Sequence, residues 1–137
     1  MNNQVQAELK KIFNNRFSTS ESTRANYARG EDTYDPILSK AVVFPETNEE
    51  VSKILSLCNQ HKIPVVPFGT GTSLEGNVVG NEKGITISLE KMNKILNVNA
   101  EDFDCRVQAC VTKEQLNEYL REAVSYTHLT LPTTPYV

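Results

Sequence analysis

Residues 41–77 read AVVFPETNEEVSKILSLCNQHKIPVVPFGTGTSLEGN, and the fold turns on how they are divided. Ala41–Phe44 is a short apolar run closed by Pro45, as a buried strand would be. Thr47 and Glu50 follow as a T-x-x-E capping box, the signature of a helix start. Val51, Ile54, Leu55 and Cys58 then form the apolar stripe of a helix running to about His61. There an imidazole suits the negative end of the helix dipole. Ile63–Phe68, IPVVPF, is a second apolar strand. It runs straight into a loop holding Gly69, Gly71 and Gly76, three of the chain's six glycines. Strand, helix and strand in this order predict a parallel pair joined by a right-handed crossover.

Outward from this unit the signals are simpler. Val5, Leu9, Ile12 and Phe13 predict a short helix over 4–13. Residues 14–40 carry turn formers and charges, RGEDTYDP among them, and read as an irregular lead-in. Its carboxylates Glu31, Asp32 and Asp35 read as solvated. Downstream, GITISLEKM offers a third strand with Ile85, Ile87 and Leu89 on one face. KILNVNAEDFDCRVQACVT reads as two strands joined by a turn at Asn99–Asp102, with Phe103, Cys105, Val107 and Ala109 on one face. Thr112 and Gln115 open a last helix over 112–122, with Leu116, Tyr119 and Leu120 on one side. The expected class is α+β. The chain divides into an N-terminal helix and lead-in (1–40), a partial domain (41–123) and a discordant tail (124–137). That tail, VSYTHLTLPTTPYV, is uncharged and unprepared for by the helix before it, and is expected to be foreign sequence.

Composition narrows the function classes. A chain of 137 residues is one domain or part of one, and 39% hydrophobic with 23% charged residues is ordinary globular usage. The formal net charge of -3 gives no reason to expect nucleic acid. No apolar run approaches the roughly 18 residues of a membrane span, and the start lacks the layout of a secretion signal. The expected location is cytoplasmic, with membrane contact left to a longer parent chain. Cys58, Cys105 and Cys110 follow no C-x-x-C spacing, so neither a metal site nor a redox pair is expected. Cys58 shares the helical stripe and should be a core residue. Cys105 and Cys110, five apart in a strand-like stretch, should point to opposite faces.

A strand that ends in glycines can expose consecutive backbone N–H groups to an anion. The dinucleotide fingerprint G-x-G-x-x-G fails here, because Leu74 stands where its third glycine belongs. The nucleotide loop G-x-x-x-x-G-K-[ST] fits Gly71 and Gly76 but has Asn77 in place of lysine. Both also need a helix directly after the loop, and NVVGNEKG forbids one. Two readings stay open on composition: a pyrophosphate held by amides and by the hydroxyls of Thr70, Thr72 and Ser73, or a plain surface turn.

The segment from about Tyr27 to Arg121 resembles the flavin-binding half of the FAD-linked 2-hydroxy-acid dehydrogenases, a group that includes D-lactate dehydrogenases and the glycolate oxidase FAD subunit. These belong to the vanillyl-alcohol-oxidase-like superfamily, with its PCMH-type FAD-binding domain. The resemblance is carried by V-x-P-x-[ST]-x-E-E-V from Val43, then I-P-V-x-P-x-G-x-G-T-S-L-x-G from Ile63, then a strand and the Met92–Asn93 pair. It implies that Pro67, Phe68, Gly69, Thr70, Gly71, Thr72, Ser73, Gly76 and Asn77 wrap the FAD pyrophosphate. Relatives that attach FAD covalently carry a histidine where Thr72 stands, so the resemblance implies dissociable FAD. Cys110 replaces the glycine of a usual AGVT near the flavin. The implied activity is oxidation of a D-2-hydroxy acid, D-lactate or a glycolate-like relative, with electrons passed to an acceptor. The catalytic residues would lie outside this stretch. Rivals are the same fold with an alkylglycerone phosphate, an aldonolactone or an aromatic alcohol as substrate, a non-enzymatic phosphate- or nucleotide-binding module, and a purely structural fragment.

Overall fold

The computed structural model describes residues 3–123. The tail, 124–137, and the expectation attached to it lie outside them.

Helix α1, Asn3–Phe13, buries Val5, Leu9 and Phe13. These sit at i, i+4 and i+8, one above another on a single face. The face packs on α3, Asn48–Gln60, which buries Ile54, Leu57 and Cys58. Ile12 and Leu55, expected on the inner stripes, are both 46% exposed. The correction follows from helix geometry: Ile54, Leu57 and Cys58 fall at i, i+3 and i+4, whereas Leu55 lies a further 100° round. His61 caps the C-terminal end of α3, where sequence placed it.

Residues 14–40 are not simply irregular. A 3-10 turn at Asn14–Arg16 leads to strand β1, Phe17–Ser18, and then to helix α2, Glu21–Asn26. Ser20 caps α2, its hydroxyl accepting from Thr23 N at 3.2 Å. Strand β1 pairs antiparallel with β2, Val42–Val43.

The sheet runs β1-β2-β4-β3, where β3 is Val65–Phe68 and β4 is Ile85–Ser88. The crossover through α3 therefore does not place β2 beside β3. Strand β4 inserts between them and is parallel to both, with Val43 and Pro67 opposite Ile87. All four β4 residues are buried, not only those on one face. Ile85 and Ile87 join the core of α1 and α3. Thr86 turns the other way and donates to Ser39 Oγ at 2.8 Å, so the lead-in covers the second face. A central strand closed on both sides loses the polar alternation of an open sheet.

Strands β5, Ile95–Asn99, and β6, Asp104–Val107, form a separate antiparallel hairpin. Their turn is residues 100–103, with Phe103 at φ 55°. Cys110 follows β6 in a turn, so the opposite-face argument for Cys105 and Cys110 does not apply. Helix α4, Lys113–Ala123, starts at Thr112, whose hydroxyl accepts from Gln115 N at 3.1 Å. A four-stranded mixed sheet flanked by helices, with a separate hairpin, is the expected α+β class.

The first capping box does more than start a helix. Thr47 Oγ1 accepts from Glu50 N at 3.2 Å, but the Glu50 carboxylate reaches Glu46 N at 2.8 Å rather than the cap residue's own N–H. Its two oxygens also accept from both Arg16 terminal nitrogens at 2.6 Å. Arg16 reaches Phe44 O and lies 5.5 Å over the Phe13 ring. One side-chain pair thus ties α1, β2 and α3 together at one end of the core. The guanidinium holds the Glu50 carboxyl at about 2, well under the ordinary 4.5.

Candidate functional site

The glycine loop leaves the sheet at the carboxyl end of β3, an edge where α/β proteins bind ligands. Phe68 is buried and closes the strand; Pro67 is exposed. Beyond it the backbone must turn sharply, and Gly71 does so at φ 77° and Gly76 at φ 73°. L-residues avoid that region because Cβ crowds the following carbonyl. Gly71 also lies on the Phe68 ring, where an added Cβ would sit 2.8 Å from Cζ. Gly76 lies on the Tyr34 ring, 2.7 Å from the same test atom. An added Cβ at Gly69 would meet nothing within 4 Å, so that side of the loop is open.

Hydrogen bonding separates the two ends of the loop's peptide groups. Gly71 O accepts from Glu31 N at 2.9 Å and Gly76 O from Val79 N at 3.1 Å. Among the described residues, no backbone N–H from Gly69 to Asn77 finds a backbone acceptor. Thr70 and Thr72 are exposed, their hydroxyls 3.3 Å apart. Ser73 is half-buried, and Asn77 is exposed. The result is a row of amides without a backbone acceptor beside two hydroxyls that meet each other, open on the Gly69 side, a donor set that suits a pyrophosphate. No helix follows the loop, as NVVGNEKG implied, so no helix N-terminus stands behind it.

Beneath the loop sits an aromatic floor that the sequence did not advertise. Tyr27 meets Phe44, just past β2, and Phe68, at the end of β3, edge-on with ring centroids at 5.5 and 5.0 Å. Its hydroxyl donates to Glu90 at 2.7 Å. Burial first, then the carboxylate partner, push the Tyr27 hydroxyl up to about 12, so it stays protonated and keeps donating. Ser88, opposite Phe68 in register, is fully buried beside it, and its Oγ reaches no partner at hydrogen-bonding geometry. Burial also raises the Cys110 thiol, with the Glu90 carboxylate as the lesser cause. The signal that could have found the floor is that Phe44 and Phe68 each end a short apolar run.

The lead-in contributes as well, and here a sequence expectation fails. Asp32 is only 7% exposed, not solvated. Its carboxylate accepts from Gly30 N at 3.1 Å and Tyr34 N at 3.0 Å, a self-contained turn that satisfies the buried charge. Glu31 and Asp35 are exposed, as expected. Among the described residues no three His, Cys, Asp or Glu side chains are grouped to hold a metal.

The sequence matches the family described as FAD binding domain over residues 39–135. The chain belongs to that family. It is 38% identical to a probable mitochondrial D-lactate dehydrogenase of Danio rerio over 118 residues, covering 86% of this chain and 23% of that protein. It is 33% identical to the glycolate oxidase subunit GlcD of Bacillus subtilis over 92 residues, covering 67% of this chain and 20% of that protein. Among solved structures, alkyldihydroxyacetonephosphate synthase superposes with a TM-score of 0.81 at 18% identity, over 90% of this chain and 25% of that one. At that identity the likeness establishes the fold, which is the vanillyl-alcohol-oxidase or PCMH type. The chain thus spans between a fifth and a quarter of the length of these three proteins. FAD is the cofactor of this domain family, and the open, donor-rich loop fits its pyrophosphate.

Proposed function

We propose that this chain supplies the first FAD-holding loop of a D-2-hydroxy-acid dehydrogenase acting on D-lactate or a glycolate-like acid. The observation that carries this reading is the row of unpaired amides from Gly69 to Asn77, opening beside β3 in a chain of the FAD binding domain family. Bound flavin supplies a hydride acceptor at N5 and hands the electrons on to an acceptor. The chain's own part is to bind and orient. Gly69 and Gly71 turn amides toward the phosphates; Thr70, Thr72 and Ser73 add hydroxyl donors; Phe68 sets the loop's height above the sheet; Pro67, Gly76 and Asn77 bound it. Thr72 cannot form a histidyl link, so the flavin is held without a covalent bond. The relatives named for D-lactate and glycolate support the substrate class; the proposed setting is cytoplasmic, with the electrons passed to an acceptor.

The test is made on the full-length gene product. Purified protein should show flavin absorbance, release all of it on acid precipitation, and reduce a dye when given D-lactate or glycolate. Colourless protein that takes up no FAD, or flavin that stays with the acid-denatured polypeptide, would refute the corresponding step. Flavin without dye reduction by either acid would move the substrate to another class.

A further inference from the structure

The glycine loop's shape is not set within the loop. An added Cβ at Gly30 would sit 2.5 Å from Gly71 O, 3.0 Å from Ser73 O and 2.8 Å from a Val78 methyl. The backbone at Gly30 therefore lies flush against the inward carbonyls of the loop. The next residue, Glu31, donates its N–H to Gly71 O at 2.9 Å. Asp32 fixes the turn from beneath through Gly30 N and Tyr34 N, and Tyr34 in turn presents its ring to Gly76. Ala28 O completes the brace, accepting from Gly80 N at 2.9 Å where the chain leaves the loop.

We propose that the turn Ala28–Tyr34 is a positioning wall for the ligand loop. By holding the carbonyls of Gly71 and Ser73 inward, it keeps the amides of the loop aimed at a pyrophosphate. Gly30 is the positioning residue with least freedom, because any side chain there pushes on two carbonyls at once. Glu31 acts through its N–H and not its carboxylate. Asp32 acts as the acceptor that holds the turn, and Tyr34 acts as a ring. None of the four is among the loop residues assigned to the pyrophosphate. The inference rests on the flavin reading above and adds to it a second segment, distant in sequence, on which affinity depends.

The experiment uses the full-length gene product stripped of flavin. Dissociation constants for FAD and for ADP are measured alongside the thermal midpoint of the apoprotein. ADP carries the pyrophosphate without the isoalloxazine ring, so it isolates the end of the ligand that the wall serves. Gly30→Ala and Asp32→Asn should weaken FAD and ADP by the same factor, at least tenfold for Gly30→Ala. Asp32→Asn should leave the apoprotein midpoint within a few degrees of wild type. Tyr34→Phe keeps the ring and should bind as wild type; Tyr34→Ala should not. Unchanged ADP and FAD affinity in both Gly30→Ala and Asp32→Asn would overturn the proposal, as would weakening confined to FAD. If Gly30→Ala fails to fold, Asp32→Asn and the Tyr34 pair decide alone. Wild-type protein that binds neither nucleotide refutes the flavin reading itself, which is a separate result.

Discussion

Replacing Gly71 with alanine sets two measurable costs against each other. At φ 77° an L-residue costs about 1–2 kcal/mol. The new methyl would lie 2.8 Å from Phe68 Cζ and 3.1 Å from Cε1. The ring is buried between Tyr27 and the loop, so it must leave its rotamer well, at a further cost of about 1 kcal/mol. If the loop keeps its shape, the total of about 2–3 kcal/mol appears as lost stability of the apoprotein. If the loop relaxes instead, stability is spared and the cost appears in binding, as a Kd for FAD raised about 30- to 150-fold. Valine, with a stiff branched side chain, should abolish measurable binding. Chemical denaturation of the apoprotein and fluorescence titration with FAD, run on the same full-length preparation, give both quantities. Gly69→Ala is the comparison: its Cβ meets nothing and its φ is not positive, so stability should hold within about 0.5 kcal/mol. Any loss of affinity in Gly69→Ala then reports the closeness of the ligand alone. The reasoning is refuted if Gly71→Ala unfolds and binds FAD as wild type does, for then neither the turn nor the ring contact matters.

The Arg16–Glu50 pair predicts an acid limb. The folded Glu50 carboxyl lies near 2 and the unfolded one near 4.5, so its contribution is complete above about pH 5 and disappears as pH falls toward 2. Both side chains are about one-fifth exposed, which trims the contribution to about 2 kcal/mol. Glu50→Gln should flatten the stability profile between pH 5 and 2, and an unchanged slope would count against the pair. Cys58 is 1% exposed and its thiol is raised by burial, so a thiol reagent should label exposed Cys105 well before it. Equal labelling rates in the folded protein would show that the core of α1 and α3 opens.

The sequence carried the unit from Val42 to Phe68 well, because each of its boundaries has local chemistry: a proline after the first strand, a threonine cap, an apolar stripe and a second proline-flanked run. The glycine loop was legible for the same reason, down to the absence of a helix after it. Sheet order was not legible. Whether β3 or β4 lies beside β2 depends on which strand can be buried on both faces. That in turn depends on Ser39 meeting Thr86 across 47 residues of chain. Leu55 was placed where Leu57 belongs because leucines two residues apart both satisfy a loose apolar pattern, and only the angle about the helix axis separates them. Phe68 illustrates the reverse case. It was picked out as a loop residue, yet its ring supports the loop from below.

The sharpest gap between sequence and structure lies at Asp32. In RGEDTYDP a carboxylate among charges and turn formers reads as solvent-facing, and Glu31 and Asp35 do face solvent. What removes Asp32 from water is the pair of backbone N–H groups two residues to either side, from Gly30 and Tyr34. A short side chain can satisfy its own turn and so be buried without a countercharge. The glycine before it then lets the turn come to rest against another backbone. A glycine two residues ahead of an aspartate, far upstream of a glycine loop, was thus a readable sign of close packing between two backbones. It went unread because nothing local says which backbone is approached. The partner is Gly71, and that contact makes the shape of the glycine loop a property of two segments rather than of one motif.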